Sequence, residues 1–420
     1  MLILALGLGL CLTQQAVADE DDPPGRVARL GYVEGSVSFE PAGTEDWFDA
    51  EPNRPITIGD QLWVDEESRA ELHIGSAAIR LADRTGLSFL DLTDGVVQIQ
   101  LAEGAISAHL RDLYEDEVFE IDTPNLAFNL RRPGDYRVEV NEAGGATIVS
   151  IRRGEGEVIG GGRSFSVRSN QRAAFLGTER LDSFIDDVGD YDDFDQWCHD
   201  RDLRESNSIS ARYVSRGVIG YEDLDDSGDW RTVPEYGAMW VPRHVEVGWA
   251  PYRYGHWAWI SPWGWTWIDD ASWGFAPFHY GRWARVGGVW GWCPGPRVTV
   301  GVIARPVYAP ALVAWVGGPS FSLGVSVGGS SLGVAWFPLA PREVYVPPYH
   351  VSRTYVTNVN VTNTVVNNVT ITNVYENSRT NNVRYLNRTA VTATSRTAFV
   401  SAQPVARNIV HVEPAQMTRA

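Results

Sequence analysis

Tryptophan at every second position is the feature that most limits what this chain can become. Twelve of its 17 Trp fall between residues 230 and 294. Many come as alternating sets, such as Trp257-Ala258-Trp259, Trp265-Thr266-Trp267 and Trp290-Gly291-Trp292. Successive residues of a strand point to opposite faces, so this spacing lines indoles along one face. Two segments align at an offset of 26, Gly248-Trp249-Ala250-Pro251-Tyr252-Arg253-Tyr254-Gly255-His256-Trp257 and Gly274-Phe275-Ala276-Pro277-Phe278-His279-Tyr280-Gly281-Arg282-Trp283. Each leads into a turn, Ser261-Pro262-Trp263-Gly264 in the first and Gly287-Gly288 in the second, and then a returning strand. The pattern predicts two aromatic β-hairpins. A shorter partial copy, Pro234-Glu235-Tyr236-Gly237 with Trp240, precedes them.

Two uses of these indoles compete. Each aromatic buries roughly 150–250 Å², so they can fill the core of a unit short of apolar area. Alternatively some stay exposed as stacking platforms for sugar rings or for a protein partner. The candidate binding residues on the second reading are Tyr254, Trp259, Trp263 and Trp265, with His256, His279 and Arg282 as polar partners. Across the repeat His256 aligns with Arg282, and His279 with Arg253. That exchange keeps a polar slot but not a metal ligand or a base, which favours structural roles.

Upstream, residues 28–176 read as short strands between glycine turns. Examples are 28–33, 36–39, 70–74, 97–101, 118–121, 136–140 and 146–151, several with period-two alternation. Repeated short strands of this kind imply a sandwich, barrel or β-roll. The ordered motifs Gly31-Tyr32-Val33-Glu34-Gly35-Ser36-Val37, Ile58-Gly59-Asp60-Gln61-Leu62-Trp63-Val64, Ser68-Arg69-Ala70-Glu71-Leu72 and Leu101-Ala102-Glu103-Gly104-Ala105-Ile106 continue into Phe119-Glu120-Ile121-Asp122-Thr123-Pro124 and Pro133-Gly134-Asp135-Tyr136-Arg137-Val138. This stretch resembles the FecR-type periplasmic domain. Signalling members of that family relay a transporter's state to a cytoplasmic sigma factor. In this sequence no cytoplasmic anti-sigma segment and no internal transmembrane helix precede the domain. The resemblance therefore implies a periplasmic β-module that binds a partner. Residues 190–350, with Tyr221-Glu222-Asp223-Leu224 and Trp336-Phe337-Pro338-Leu339 around the aromatic repeat, resemble an uncharacterised Trp-rich domain of exported proteobacterial proteins, which brings no activity with it.

Charge is uneven. Residues 1–230 carry 46 Asp and Glu against 20 Arg, and residues 231–420 carry 7 acids against 15 Arg. All 35 basic residues are Arg, so lysine-dependent chemistry such as a P-loop or a Schiff base is excluded. Neither the acidic half nor the thinly spread Arg of the second half makes a nucleic-acid footprint. No nucleophile elbow, zinc-protease helix or Cys–His set occurs, and Asp269-Asp270 would point to opposite faces of a strand. We expect no enzyme and no cofactor.

Leu2 to Leu12 is apolar and is followed by Ala16-Val17-Ala18 and then acids, the pattern of a secretory leader cleaved after Ala18. No apolar run beyond residue 18 reaches ~18 residues, so the mature chain has no expected transmembrane segment, and the expected location is the periplasm or outside the cell. Cys198 and Cys293 remain after cleavage, either as a disulfide or as two thiols. Residues 177–209 form an acidic linker in which Phe194, Trp197 and Cys198 mark one amphipathic helix with a wet acidic face. Asp223-Leu224-Asp225-Asp226-Ser227-Gly228 opens like a calcium loop, but its twelfth position is Pro234 rather than the bidentate Glu, and we read a solvated turn.

The fold expected is mainly β: a leader (1–18), a FecR-like β-sandwich or β-roll domain (28–176), one linker helix (177–209), a second Trp-rich antiparallel β-domain (210–346) and a Val/Thr/Asn-rich low-complexity tail (347–420) read as flexible. The expected role is a non-enzymatic envelope protein acting as a partner-binding or signalling adaptor. The alternatives are a polysaccharide- or peptidoglycan-binding protein using exposed Trp, and an uncharacterised hydrolase.

Overall fold

The structure is a computed structural model describing residues 22–297, 305–316, 325–327, 331–377 and 384–411. The leader and the strand-like segment 298–302 lie outside the described residues. The chain is mainly β, as the alternation requires.

Seventeen strands, from Ala28–Glu34 to Asp182–Asp187, make one continuous sheet that folds over on itself. The fold-over is carried by the long strand Val96–Leu110. Its first half pairs with Thr85–Leu92 and, in parallel, with Val118–Asp122. Its second half pairs with Ala77–Leu81 and Gly134–Val140. The change of partners falls at Gly104, whose φ is +89° and where a Cβ would lie 2.4 Å from Thr85 Oγ1 and 2.5 Å from the Arg84 carbonyl. Only glycine meets both demands. Leu30, Ile79, Val138 and Ile151 from one half meet Phe39, Leu62, Phe89 and Val158 from the other in a single core. Alternation is clean in Gly134–Val140, where Tyr136, Val138 and Val140 are buried and Asp135, Arg137 and Glu139 are half-buried.

Helix α1 (Asp193–Ser206) follows, capped by the Asp192 carboxylate, which accepts from the Asp195 N–H at 2.7 Å. Phe194 and Cys198 face inward as the spacing predicts. The opposite face, with Asp193, Gln196 and Asp200, is exposed as expected, but not every acid lies on it. Asp195 pairs with Arg137 and Arg152, Asp202 with Arg80, and Glu205 with Arg111, at 2.6–3.0 Å. The wet acidic face is thus only part of the helix's charge, because the outer face of the sheet beneath it carries arginines that draw Asp195, Asp202 and Glu205 inward.

The core of the second unit already takes in Val214, Ile219 and Tyr221, which lead into the single-turn helix α2 (Leu224–Ser227). Strands Gly228–Val233, Gly237–Pro242, Val289–Cys293 and Arg282–Val286 form a four-stranded sheet in that spatial order. The first aromatic hairpin, Gly255–Ile260 with Gly264–Asp269, pairs Trp257 with Trp267 and Trp259 with Trp265. The second pairs Trp283 with Trp292 across Arg282–Val286 and Val289–Cys293. Between the hairpins lies the single-turn helix α3 (Ala276–His279). A third sheet contains Val313–Trp315, Ser331–Pro338 and Thr392–Ser395.

The segment after Pro348 departs from the flexible tail that its composition suggests. It contains helices α4 (Arg353–Val361), α5 (Asn368–Asn377) and α6 (Arg396–Val400). Tyr355, Val356 and Val359 of α4 pack with Leu312, Leu339 and Tyr345, and Phe399 of α6 enters the aromatic core. Burial of one helical face overrides the β-propensity of Val and Thr. The asparagines supply buried polar contacts: Asn360 Nδ2 donates to the Tyr345 and Val356 carbonyls at 2.8 Å, and Asn363 Oδ1 accepts from the Gly281 N–H at 2.9 Å.

Candidate functional site

The aromatic hairpins resolve into core. Of the twelve indoles at 230–294, eight are buried, those of Trp230, Trp249 and Trp265 are half-buried, and only Trp259 is exposed. Trp257 meets Trp315, Trp336 and Trp267 at ring-centroid distances of 4.7, 5.2 and 5.4 Å. Several indole N–H groups are satisfied inside, Trp240 by the Leu224 carbonyl, Trp283 by Pro277 and Trp292 by Tyr280.

The seven residues proposed as a binding row are not brought together as one surface. Trp263 is 3% exposed and rests on Tyr308. Trp265 is half-covered by Phe399, 4.3 Å away. His279 is fully buried, its Nδ1 2.8 Å from the Ala309 carbonyl, and burial holds its pKa down at about 3. Arg282 is also buried and donates to three neutral oxygens, of Gly281, Glu343 and Asn360. Burial lowers its pKa to about 10. His256 is half-buried near Glu51, and the Tyr254 hydroxyl donates to Glu246. Trp259 alone presents most of its ring, 66% exposed, edge-on to Trp265 at 5.4 Å.

Cys198 and Cys293 are both free and buried, not bridged. Cys198 sits on α1 against the first unit, whereas Cys293 packs with Met239, Val241 and Ala284 in the second. Burial pushes both thiols up to about 12.

A buried charged seam between the two units went unread in the sequence. Glu71 accepts from Arg80 at 2.6 Å and from Arg201 at 2.6 and 2.8 Å, with His73 Nε2 at 3.0 Å. The other His73 nitrogen lies 3.1 Å from Glu222 of the second unit. Arg29 pairs with Asp223 at 2.6 Å and donates to Asn53 and to the Ser272 carbonyl. Asn53 in turn donates to the carbonyls of Asp269 and Ala271. Burial alone would lower the His73 pKa, but Glu222 and Glu71 raise it to about 10. Burial pushes Glu222 up, yet His73 and Arg29 bring it below the usual carboxylate range. The presumed solvated turn at Asp223–Gly228 is therefore a docking surface: Asp223 holds Arg29, and Asp225 accepts from the Ile209 and Ser210 N–H groups.

Between α1 and the first unit lies a cavity of about 240 Å³, lined by His109, Asp135, Cys198 and Asp202 among others. His109 Nδ1 lies 2.6 Å from Asp135 and 3.5 Å from Asp202. Among the described residues no other His, Cys or carboxylate group converges this way. Each carboxylate already has an arginine, Arg153 at 3.1 Å and Arg80 at 2.7 Å. The charge is balanced without an ion, and the group reads as an anchor for α1.

The most open recognition feature lies at the end of the first unit. Strand Asp182–Asp187 pairs with Gln171–Leu176 over six unbroken positions, and no pairing joins it to another described strand. All six of its residues are exposed, including Phe184 at 60% and Ile185 at 50%. Neither apolar side chain has a signature in period-two reading, because an edge strand that outruns its sandwich has two wet faces. Among the described residues no helix is long and apolar enough to cross a membrane.

Comparison with known proteins adds little beyond this geometry. No curated protein matches the chain. Two crystal structures of a candidate anti-sigma factor from Parabacteroides distasonis ATCC 8503 are similar at TM-score 0.27, with 13% and 14% identity over 30% of this chain. The match spans only 59% of that chain, and at this TM-score it carries no weight for fold or role. Residues 221–343, which hold both aromatic hairpins and the Glu222–Asp223 side of the seam, match the model of a family of unknown function, DUF6600.

Proposed function

We propose that this chain is a non-enzymatic, exported adaptor of the bacterial envelope that works by holding a protein partner. The observation that carries the reading is the open strand edge at Asp182–Asp187, with Phe184 and Ile185 turned outward. Exposed apolar side chains on an unpaired edge are an interaction liability in a monomer. They become useful when a partner covers them. The charged seam supports the reading from another side, because it fixes the edge relative to the Trp-rich unit and lets two surfaces act together. The secretory leader pattern and the FecR resemblance support export and an adaptor role.

Site-specific photocrosslinking tests the reading. A benzophenone side chain at position 184 in the full chain should trap one defined envelope protein in living cells. The same probe at Glu66, on the exposed surface, should not. If neither this edge nor any other exposed position traps a reproducible partner, the adaptor reading is wrong.

A glycan-binding reading keeps one specific support, the exposed Trp259 stacked edge-on with half-buried Trp265. Quenching of Trp fluorescence by peptidoglycan fragments, abolished in Trp259→Ala, would favour it over a protein partner.

A further inference from the structure

We infer that the Asp182–Asp187 edge accepts an extended partner segment as an added β-strand, and that this segment has an apolar centre flanked by Arg or Lys. The inference rests on the adaptor reading and names the chemistry of its partner. An edge strand displays unpaired N–H and C=O groups in a row, which is the template for strand addition. Edges are blunted by a bulge, a proline, extreme shortness or charge, and here only the carboxylates of Asp182, Asp186 and Asp187 play that part, which turns away acidic strands but not basic ones. This one runs six positions in unbroken register against Gln171–Leu176 and contains no proline.

Side-chain order gives the specificity. Asp182, Phe184 and Asp186 share one face, and Ser183, Ile185 and Asp187 share the other. Each face thus places an apolar residue beside at least one carboxylate. A matching strand needs apolar side chains at its centre and cations at its flanks. The charge is only partly met at home: Arg180 lies 3.7 Å from Asp182, and Arg172 stands opposite Asp186 in the register, while Asp187 faces Gln171.

The same order argues against a second copy as occupant. Antiparallel self-pairing centred on Phe184 and Ile185 places Asp182 opposite the copy's Asp187, twice per dimer. Like charges directly opposite one another destabilise a strand pair. The edge therefore repels itself and selects a basic strand.

The test uses the mature full-length protein and two labelled ten-residue peptides, each with two central valines, one flanked by arginines and one by glutamates. Fluorescence anisotropy should show the arginine peptide binding about tenfold or more tightly. In the double variant Asp182→Arg/Asp187→Arg, both sites being exposed, the preference should invert. Light scattering should show no self-association of the wild type. Equal binding of the two peptides, or no inversion, overturns the inference. A wild-type dimer abolished by Phe184→Glu overturns it too, since the edge then belongs to a second copy. If the peptides fail while a probe at 184 still traps an envelope protein, the basic-strand chemistry is wrong and the adaptor reading stands.

Discussion

Glu222→Gln is the sharpest probe of how the two units are joined. The side chain keeps its shape and loses its charge, 3.1 Å from His73 and 3.9 Å from Arg29. Raising the His73 pKa from 6.5 to about 10 corresponds to about 5 kcal/mol of preference for the protonated form, at about 1.36 kcal/mol per factor of ten. Two carboxylates supply it, Glu222 and Glu71. Because the two carboxylates also overcome the desolvation of the imidazole, removing one should cost more than half, about 3 kcal/mol, at the low end of the ~3–5 kcal/mol seen when a buried pair is broken. Arg29 keeps Asp223 at 2.6 Å, which holds the loss to that range. The pH dependence has a definite sign. Because the folded pKa of His73 lies above its unfolded value, its contribution is complete below about pH 6.5 and is lost as pH rises towards about 10. Glu222 behaves oppositely: its folded pKa is depressed, so its contribution holds above its unfolded value near 4.5 and fades on acidification. Urea unfolding at pH 6 and pH 9.5, followed by Trp fluorescence for the second unit and by far-ultraviolet circular dichroism for the whole, measures both effects. The wild type should lose stability between these pH values more steeply than the variant. At pH 6 the variant's fluorescence transition should separate from the circular-dichroism one as the units uncouple. A difference below about 1 kcal/mol at pH 6, or parallel pH slopes, would refute the seam as the joint between the units.

Other outcomes follow from single contacts. Gly104→Ala places a Cβ 2.4 Å from Thr85 Oγ1 at φ +89°, and should cost about 2–4 kcal/mol in chemical denaturation. Trp257→Ala, at 1% exposure, should cost about 3–5 kcal/mol, whereas Trp259→Ala, at 66%, should stay below about 1 kcal/mol; similar losses would contradict the division of the hairpin into a buried base and an open tip. Asn360→Ala orphans the Arg282 Nη2 and the Tyr345 N–H and C=O, and should cost about 2–3 kcal/mol or more and speed proteolysis after residue 347; a silent substitution would return that segment to a loose tail. Both thiols should resist maleimide in the native protein and react in denaturant, and a bridged peptide in non-reducing mass spectrometry would contradict their separation.

Period-two alternation and glycine turns determined the β character of both units, because a strand sorts its side chains by parity whatever surrounds it. The spacing at Phe194 and Cys198 likewise determined α1, and the 26-residue repeat determined the two hairpins. What lies over each face was decided only by tertiary structure. Glu71 and His73 fall on the polar side of Arg69–Ile74, a side that parity marks as wet, yet α1 and the second unit bury both. The same holds for Asp195, Asp202 and Glu205 of α1 and for Asp223, whose arginine partners come from remote strands. The Val/Thr/Asn stretch became helical because Leu312, Leu339 and Tyr345 offered it an apolar floor and neighbouring polar atoms engaged Asn360 and Asn363. Trp257 and Trp259 have the same parity and opposite fates, since Trp315, Trp336 and Phe399 cover one and stop short of the other. Local sequence fixes the direction of a side chain, but only the packed neighbours, arriving from tens or hundreds of residues away, fix whether that direction leads to water.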